Sequence, residues 1–280
     1  MRLSSSHRSV VLILAGAAVG LAACHKAAVA PRSPVTPIVA SPVDISDPAN
    51  YSQTYAKPVA VSSTPPPAIP AYDQPAPPGP DFLWTPGYWA WARGDYTWIP
   101  GAWVRPPRPG LLWTPGYWRW ADGVYGFAPG YWAGKVGYYG GINYGHGYDG
   151  QGYVGAKWRG AALAYNGAET TVRGLPSDLV YREEQPPNTN PVGFSGGPGG
   201  VDTKPGLGDM ATARSPHEPP TQAQLLLVAI AQSEPGQRAS VNRDRPGVAA
   251  TVTAAAFKGP GAVTDAKASL AYHPPPPKEP

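Results

Sequence analysis

Aromatic residues alternate with small or polar residues between positions 84 and 132, which is the pattern of short strands. Within a segment the aromatic positions lie two residues apart, as in Trp89 and Trp91 or Trp118 and Trp120. Residues at that spacing share one face of a strand. Because glycine-containing dipeptides separate the segments, the pattern predicts a mainly β fold, a small antiparallel meander of Trp-rich hairpins.

Two of these dipeptides, Arg93-Gly94 and Asp122-Gly123, predict tight two-residue hairpin turns. The register of the strands follows from each turn. Across Arg93-Gly94, the expected pairs are Trp91 with Tyr96 and Trp89 with Trp98. Across Asp122-Gly123, they are Ala121 with Val124, Trp120 with Tyr125 and Trp118 with Phe127.

Four Pro-Gly dipeptides lie between the same segments: Pro86-Gly87, Pro100-Gly101, Pro115-Gly116 and Pro129-Gly130. If they were also two-residue turns, they would pair Trp84 with Trp89 and Trp98 with Trp103. Two rows of cross-strand rings would result: Trp84, Trp89, Trp98 and Trp103, and then Trp113, Trp118, Phe127 and Trp132. An L-Pro-Gly pair prefers a type II turn, whose twist fits a two-residue hairpin poorly. A wider or bulged connection is therefore the alternative at these four positions.

The same six-residue phrase occurs four times, as WTPGYW, WIPGAW, WTPGYW and FAPGYW starting at residues 84, 98, 113 and 127. A fixed aromatic period indicates a repeat architecture. Tandem W-x-x-G-x-W resembles the bacterial YXWGXW (WXXGXW) repeat family of small envelope lipoproteins, and the glycine-rich stretches that follow resemble segments that trail those repeats. The resemblance implies an exported protein of unassigned function and carries over no catalytic residue.

The aromatic rows are the feature of the sequence that could bind a ligand. Exposed tryptophan and tyrosine rings stack on the apolar faces of sugars and on other aromatic rings. The candidate stacking residues are Trp89, Trp91, Tyr96, Trp118, Trp120 and Tyr125. In the other interpretation, the rings form the core of a sheet that has few aliphatic residues.

The start of the chain is typical of an export signal. Arg2 and Arg8 precede an apolar run from Val10 to Ala23, which ends in Leu-Ala-Ala-Cys at Cys24. A basic start, a short apolar core and small residues before a cleavage point are the features of a secretory signal. Because Cys24 is the only cysteine, it has no disulfide partner within the chain, and we expect it to be lipidated. The next residue is His25 and not the Asp that holds resembled lipoproteins at the inner membrane, so we expect an outer-membrane anchor.

Glycine and proline divide the rest of the chain. Glycine recurs every fifth residue from 140 to 160, which predicts short kinked strands, and the residues around Thr221 and Gln224 form a capping box before an apolar helix. A second short helix is expected near Gln237 to Asn242. The predicted segments are a signal peptide (1–23), a lipid-anchored Pro-rich linker (24–80), the aromatic repeat module (81–133), a Gly/Tyr-rich β region (134–172), a linker (173–220), a helical segment (221–242) and a disordered tail (243–280).

Composition and charge restrict the function further. Without residues 1–23 the chain has 20 basic and 18 acidic side chains, since Arg2 and Arg8 are lost from totals of 22 and 18. So small a surplus, on an exported chain, argues against nucleic acid as a partner. The 34 glycines and 38 prolines among 280 residues greatly exceed ordinary globular usage. We therefore expect a small ordered centre with long disordered flanks.

The sequence contains no convincing catalytic constellation. The segment 145–150 matches G-x-G-x-x-G, and so does 150–155, but neither follows an apolar strand and opens a helix, as a dinucleotide site requires. The five histidines are far apart; His146 with Asp149 could contact a metal, but a solvated loop is the preferred interpretation. We expect no enzyme activity, no metal and no cofactor.

Two functions follow as expectations. The first is a structural or interaction role in the cell envelope or biofilm matrix, with self-association or envelope polysaccharide as the partner. The second is a glycan-binding module for peptidoglycan or exopolysaccharide. Both place the protein at the bacterial outer membrane, facing the periplasm or the surface.

Overall fold

A computed structural model of the protein describes residues 58–264 and residue 266. Its strands are β1 (Ala60–Ser62), β2 (Leu83–Thr85), β3 (Tyr88–Ala92), β4 (Asp95–Ile99), β5 (Gly101–Val104), β6 (Leu112–Thr114), β7 (Tyr117–Ala121), β8 (Val124–Ala128), β9 (Tyr131–Ala133), β10 (Asn143–Gly145), β11 (Tyr148–Asp149), β12 (Ala156–Arg159), β13 (Ala162–Asn166), β14 (Val180–Tyr181), β15 (Phe194–Ser195), β16 (Ala250–Thr253) and β17 (Ala262–Val263). The helices are α1 (Leu207–Ala213), α2 (Gln222–Ser233) and α3 (Ala239–Asn242), with 3₁₀ turns at Ser177–Leu179 and Pro235–Gln237. The predicted mainly β fold is confirmed.

The tight turns are confirmed, with the register that the sequence predicted. Strands β3 and β4 pair around Arg93-Gly94, so that Trp89 lies opposite Trp98 and Trp91 opposite Tyr96. Strands β7 and β8 pair around Asp122-Gly123 in the same way. Both residues of each turn have positive φ, 56° and 79° in the first and 52° and 83° in the second. This is the backbone of a type I′ turn, which matches the twist of the strands.

The predicted pairing across the Pro-Gly dipeptides is wrong. Strand β2 pairs with β5 and places Trp84 opposite Trp103, and β6 pairs with β9 and places Trp113 opposite Trp132. The register is continuous through the break. Trp89 lies five residues after Trp84, and its partner Trp98 lies five residues before Trp103, the partner of Trp84. Each repeat is therefore one long hairpin, interrupted on both arms by Pro-Gly dipeptides that lie opposite each other.

We call residues 83–104 hairpin A and residues 112–133 hairpin B. Their inner parts pack on each other: the Trp118 indole N–H donates to the Trp89 carbonyl oxygen over 2.7 Å, and the Tyr88 and Phe127 rings stack with their centroids 5.5 Å apart. The outer and inner parts of a hairpin join different sheets. The outer part of hairpin A lies in a sheet with the order β17-β16-β5-β2, and the inner part of hairpin B lies in a sheet with the order β1-β8-β7-β15. The inner part of hairpin A (β3-β4) and the outer part of hairpin B (β6-β9) are separate two-stranded sheets.

Three predicted linker or tail segments contribute to the folded core, which corrects their boundaries. Strand β1, from the predicted linker 24–80, pairs with β8; β15, from the predicted linker 173–220, pairs with β7. Strand β16, from the predicted tail 243–280, pairs with β5. A two-stranded hairpin alone is marginally stable, so these additional strands complete the two sheets.

The region 134–172 contains four strands and several turns with positive φ. Strands β10 and β11 form a small hairpin, and β12, β13 and β14 form a sheet. Its aromatic side chains contact the repeat region. Tyr148 donates to the Trp113 carbonyl over 2.9 Å, and the Trp158 indole donates to the Leu111 carbonyl over 2.9 Å.

Helix α2 begins with the predicted capping box, in which the Thr221 hydroxyl accepts from the Gln224 backbone N–H. Leu227 and Ala231 are buried, whereas Leu226 is 51% exposed. The helix therefore covers the sheets with one face only. Among residues 58–264 and 266, no helix has both the length and the apolar character needed to cross a membrane.

The predicted signal peptide (1–23), the lipidation site Cys24 and the tail beyond residue 266 lie outside the described residues. They remain predictions from the sequence.

Candidate functional site

The two arms of each hairpin approach most closely at the Pro-Gly corners, by which we mean the four dipeptides that begin at Pro86, Pro100, Pro115 and Pro129. A Cβ added to Gly87 would lie 2.9 Å from the Gly101 nitrogen, and one added to Gly130 would lie 2.7 Å from the Gly116 nitrogen. Real Cβ atoms do not approach backbone that closely. A residue with a Cβ therefore does not fit at these corners without a shift of the backbone, and glycine does.

An aromatic ring from the opposite arm covers each corner glycine. A Cβ on Gly101 would lie 2.5 Å from Cζ2 of Trp84, and one on Gly130 would lie 2.5 Å from Cζ2 of Trp113. Trp98 covers Gly87 and Phe127 covers Gly116 in the same manner. The first aromatic residue of one motif therefore packs on the glycine of the motif paired with it.

The second tryptophan of each motif contacts the first aromatic residue of the paired motif. The ring centroids are 5.4 Å apart for Trp84 with Trp103, 5.2 Å for Trp89 with Trp98, 5.2 Å for Trp113 with Trp132, and 5.2 Å for Trp118 with Phe127. Edge-on or tilted aromatic pairs contribute about 0.5–1.5 kcal/mol each beyond the area that they bury. The spacing W-x-x-G-x-W thus describes one half of an interlocking pair and not a ligand-binding motif in itself.

The indole N–H groups attach neighbouring segments to the hairpins. Their acceptors are the carbonyl oxygens of Ala68 for Trp89, Pro75 for Trp103, Ala249 for Trp98 and Trp89 for Trp118, and the Gln224 side chain for Trp132. Buried polar groups that lack a partner are costly, so these bonds determine which segments can cover the hairpins.

The six candidate stacking residues differ in exposure. Four are buried, with relative exposures of 1% for Trp89, 4% for Tyr96, 2% for Trp118 and 8% for Tyr125. Trp91 and Trp120 are only partly buried. Each packs on the buried tyrosine opposite it, with ring centroids 4.7 Å apart. Only these two rings retain appreciable surface for a ligand.

A cavity of about 240 Å³ lies between the two hairpins and α2. It is lined by Val59, Ala60, Thr85, Pro86, Tyr88, Ala90, Trp91, Ile99, Pro100, Trp113, Gly116, Phe127, Pro129, Gly130, Pro220, Gln224, Leu225, Leu227, Val228 and Gln232. We call it the corner cavity, because residues of all four Pro-Gly corners line it or are adjacent to it. Of the six candidate stacking residues, Trp91 alone is part of its lining.

The lining of the corner cavity contains no ionisable group except the phenol of Tyr88. Burial raises the pKa of that phenol far above its ordinary value of 10, so it stays neutral. Sequence reasoning missed this cavity, because the α2 residues that close it lie about 100 residues beyond the repeats. The adjacent apolar residues Leu227 and Val228 were the available signal, but they did not indicate which surface the helix would cover.

His146 does not lie in a solvated loop, which corrects that interpretation. Its ring contacts Tyr72 and Trp84 at centroid distances of 5.2 and 5.7 Å, and burial lowers its pKa to about 4. Burial also raises the pKa of Asp149 to about 6. Among residues 58–264 and 266, no three His, Cys, Asp or Glu side chains are grouped so that they could hold a metal ion.

The G-x-G-x-x-G segments are turns of the Gly/Tyr-rich region. Gly145, Gly147 and Gly150 have positive φ and connect or follow β10 and β11. A Cβ on Gly147 would collide with the backbone of Gly155. The glycine period therefore reflects turns and close backbone contacts.

The fold and the corner cavity define a repeat-built, aromatic-core β protein with an apolar cavity between its hairpins and α2. The sequence model of the WXXGXW repeat matches the chain twice, at residues 79–104 and 108–133. The chain therefore carries two WXXGXW repeats, as the resemblance predicted, and each matched stretch covers one hairpin. No curated protein and no solved structure matches the chain.

Proposed function

We propose that the protein is a non-catalytic exported lipoprotein with a structural or interaction role in the bacterial cell envelope. The observation that carries this proposal is the use of the repeat tryptophans: they pair with each other across the hairpins and fix flanking segments through their indole N–H groups. The repeat in this chain serves the fold, so function belongs to the surface and the cavity that the fold presents.

The N-terminal sequence supports the envelope location. A basic start, the apolar run 10–23 and Leu-Ala-Ala before Cys24 are the features that direct export and lipidation. In this proposal the lipid on Cys24 anchors the chain in the outer membrane, and residues 25–57 connect the anchor to the folded part.

Fractionation of cells that express Cys24→Ser tests the anchor. We expect the variant in the soluble periplasmic fraction, because removing the only cysteine removes the lipid. Ser33→Ala, a change in the same segment that leaves Cys24 intact, is the matched control and should stay with the membrane. If Cys24→Ser also stays with the outer membrane, the lipoprotein assignment is wrong.

Glycan binding is the second candidate, favoured by the partial exposure of Trp91 and Trp120 at equivalent positions of the two hairpins. The test is sedimentation of the full-length chain with insoluble peptidoglycan. Trp91→Ala and Trp120→Ala should each reduce binding severalfold while the far-ultraviolet circular dichroism is unchanged. Unaltered sedimentation of the double variant would exclude these rings as the glycan site.

A further inference from the structure

We propose that the corner cavity binds a small uncharged molecule with an apolar ring, and that a sugar is not its ligand. This site shares only Trp91 with the aromatic surface considered for glycans, and the inference does not depend on the lipid anchor. It follows from the size, the lining and the hydrogen bonding of the cavity.

The size of the cavity suits a compact ligand. Its volume of about 240 Å³ exceeds the roughly 150 Å³ of an engineered apolar cavity that stays dry and binds benzene. A closely packed interior normally contains few voids larger than a water molecule. A space of this size between two hairpins and a helix therefore has room for a bicyclic molecule.

The lining determines the class of ligand. Aromatic, aliphatic and proline side chains form most of the wall, including Trp91, Tyr88 and Phe127 from the hairpins and Val228 from α2. The prolines at the corners have no backbone N–H to offer a ligand. A charged ligand would lose its hydration without meeting an opposite charge, so the cavity favours an uncharged one.

The polar side chains of the lining are few, and most are already engaged. Thr85 donates its hydroxyl to the Ala102 carbonyl over 2.9 Å. The Gln224 side-chain oxygen accepts from the Trp132 indole over 2.9 Å and from the Thr221 backbone N–H over 2.8 Å. The Gln232 amide, the Gln224 side-chain NH₂ and the Tyr88 hydroxyl are left to bond a ligand. A sugar needs partners for hydroxyls all around its ring, whereas a few polar groups in an apolar wall suit a ring with a single polar group.

The direct test is calorimetric titration of the full-length chain with 1-naphthol and, separately, with 1-naphthoate. The two probes share a ring system but differ in charge at neutral pH. We expect saturable binding of 1-naphthol and binding of 1-naphthoate at least tenfold weaker. Absence of saturable 1-naphthol binding, or equal affinity for the two probes, would overturn the proposal.

Two variants of α2 locate the binding site. Val228→Trp fills the cavity and should weaken 1-naphthol binding at least tenfold. Leu226→Trp, which places the same ring on the exposed face of the same helix, should leave the affinity within twofold. Equal affinity of both variants and the unmodified chain would place the probe elsewhere. If Val228→Trp does not fold, the comparison of 1-naphthol with 1-naphthoate on the unmodified chain still tests whether the protein binds the uncharged probe in preference to the charged one.

Gln232→Leu tests the hydrogen bond. It should weaken the binding of 1-naphthol severalfold and leave the binding of naphthalene, which has no hydroxyl, within twofold. Equal changes for the two probes would contradict the role of the amide.

Discussion

Hairpins A and B have the same internal construction but different neighbours. In both, the inner strands turn on a type I′ dipeptide, the corners face each other and the rings pair at about the same distance. Hairpin A receives β16 against its outer part, whereas hairpin B receives β1 and β15 against its inner part. The W-x-x-G-x-W motif thus specifies the hairpin, and the flanking segments specify the sheet around it.

The one substitution at the tryptophan positions of the motifs coincides with this difference. Trp98 of hairpin A donates its indole N–H to the Ala249 carbonyl next to β16. The equivalent residue of hairpin B is Phe127, which has no donor and stacks on Tyr88 of hairpin A instead. The same motif position therefore has two roles. In hairpin A it is Trp98 and binds the segment next to β16, and in hairpin B it is Phe127 and contacts the other hairpin.

The largest effect should come from the corner glycines, where the hairpins are alike. Gly87→Ala and Gly130→Ala each force a Cβ into a ring and the opposing backbone. Overpacking of this kind typically costs 1–3 kcal/mol, and with backbone in contact we expect roughly 3 kcal/mol in both hairpins. Urea unfolding monitored by circular dichroism measures the loss.

Gly134→Ala is the control for the corner glycines. It lies one residue after β9, and no atom lies within 4 Å of its added Cβ. We expect a change below about 0.5 kcal/mol. Comparable losses for Gly134→Ala and Gly130→Ala would mean that close packing at the corner is not the cause.

The next effect should separate the two hairpins. Trp98→Phe removes the hydrogen bond to Ala249 and leaves unfilled space, which should cost roughly 2 kcal/mol. The reciprocal change, Phe127→Trp, adds a ring where Gly116 and Tyr88 already confine the side chain and should cost about 1–3 kcal/mol. Urea unfolding measures both. A stabilising effect of Phe127→Trp would show that the two positions are interchangeable.

A smaller effect is expected from the tyrosines that bond the corners. Tyr72→Phe leaves the buried Gly87 N–H without its acceptor, and we expect a loss of about 1–2 kcal/mol. Tyr144→Phe removes a donor from the Gly116 carbonyl and should cost less, since carbonyl oxygens tolerate a missing partner better than N–H groups do. The reverse order in thermal or urea unfolding would contradict this assignment.

A further effect is a pH dependence with opposite signs at His146 and Asp149. Burial lowers the pKa of His146 to about 4. The buried neutral imidazole is therefore fully tolerated above pH 6.5, and the free energy of unfolding decreases as the pH falls from 6.5 to 4. Burial raises the pKa of Asp149 to about 6, so its contribution is present below about 3.8 and is lost as the pH rises through 6.

Unfolding at pH 4, 5, 6 and 7 resolves the two groups. Asp149→Asn should gain stability relative to the unmodified chain at pH 7, with the difference shrinking towards pH 4. His146→Asn, which tolerates the positive φ of 54°, should show a difference that changes in its favour towards pH 4. Differences that do not vary with pH would mean that neither group is buried as the structure places it.

Much of the repeat could be predicted from its sequence. Arg93-Gly94 and Asp122-Gly123 are local turn signals, and the register of the inner strands followed from them. The Pro-Gly pairing was wrong because it treated each dipeptide as an independent turn. Pro86 and Gly101 are equally far from the turn at 93–94, and this symmetry was the signal for a single interrupted hairpin.

The cover of the hairpins could not be predicted in the same way. Trp98 bonds Ala249, which lies 151 residues further along the chain, and the glycine- and proline-rich composition of the flanks suggested linkers. Such contacts depend on long-range packing, for which one sequence contains no local pattern. The corner cavity depends on the same contacts, so its position was equally hidden, although Trp91 had been named as a candidate ligand contact.

The central claim is that the repeat tryptophans are the core of the protein, and acrylamide quenching of the full-length chain tests it most directly. Seven of the ten tryptophans are buried, namely Trp84, Trp89, Trp98, Trp103, Trp113, Trp118 and Trp132. We predict blue-shifted emission and quenching severalfold weaker than in the urea-unfolded chain. Red-shifted emission with quenching close to that of the unfolded chain would contradict the account and make the repeats an exposed aromatic surface.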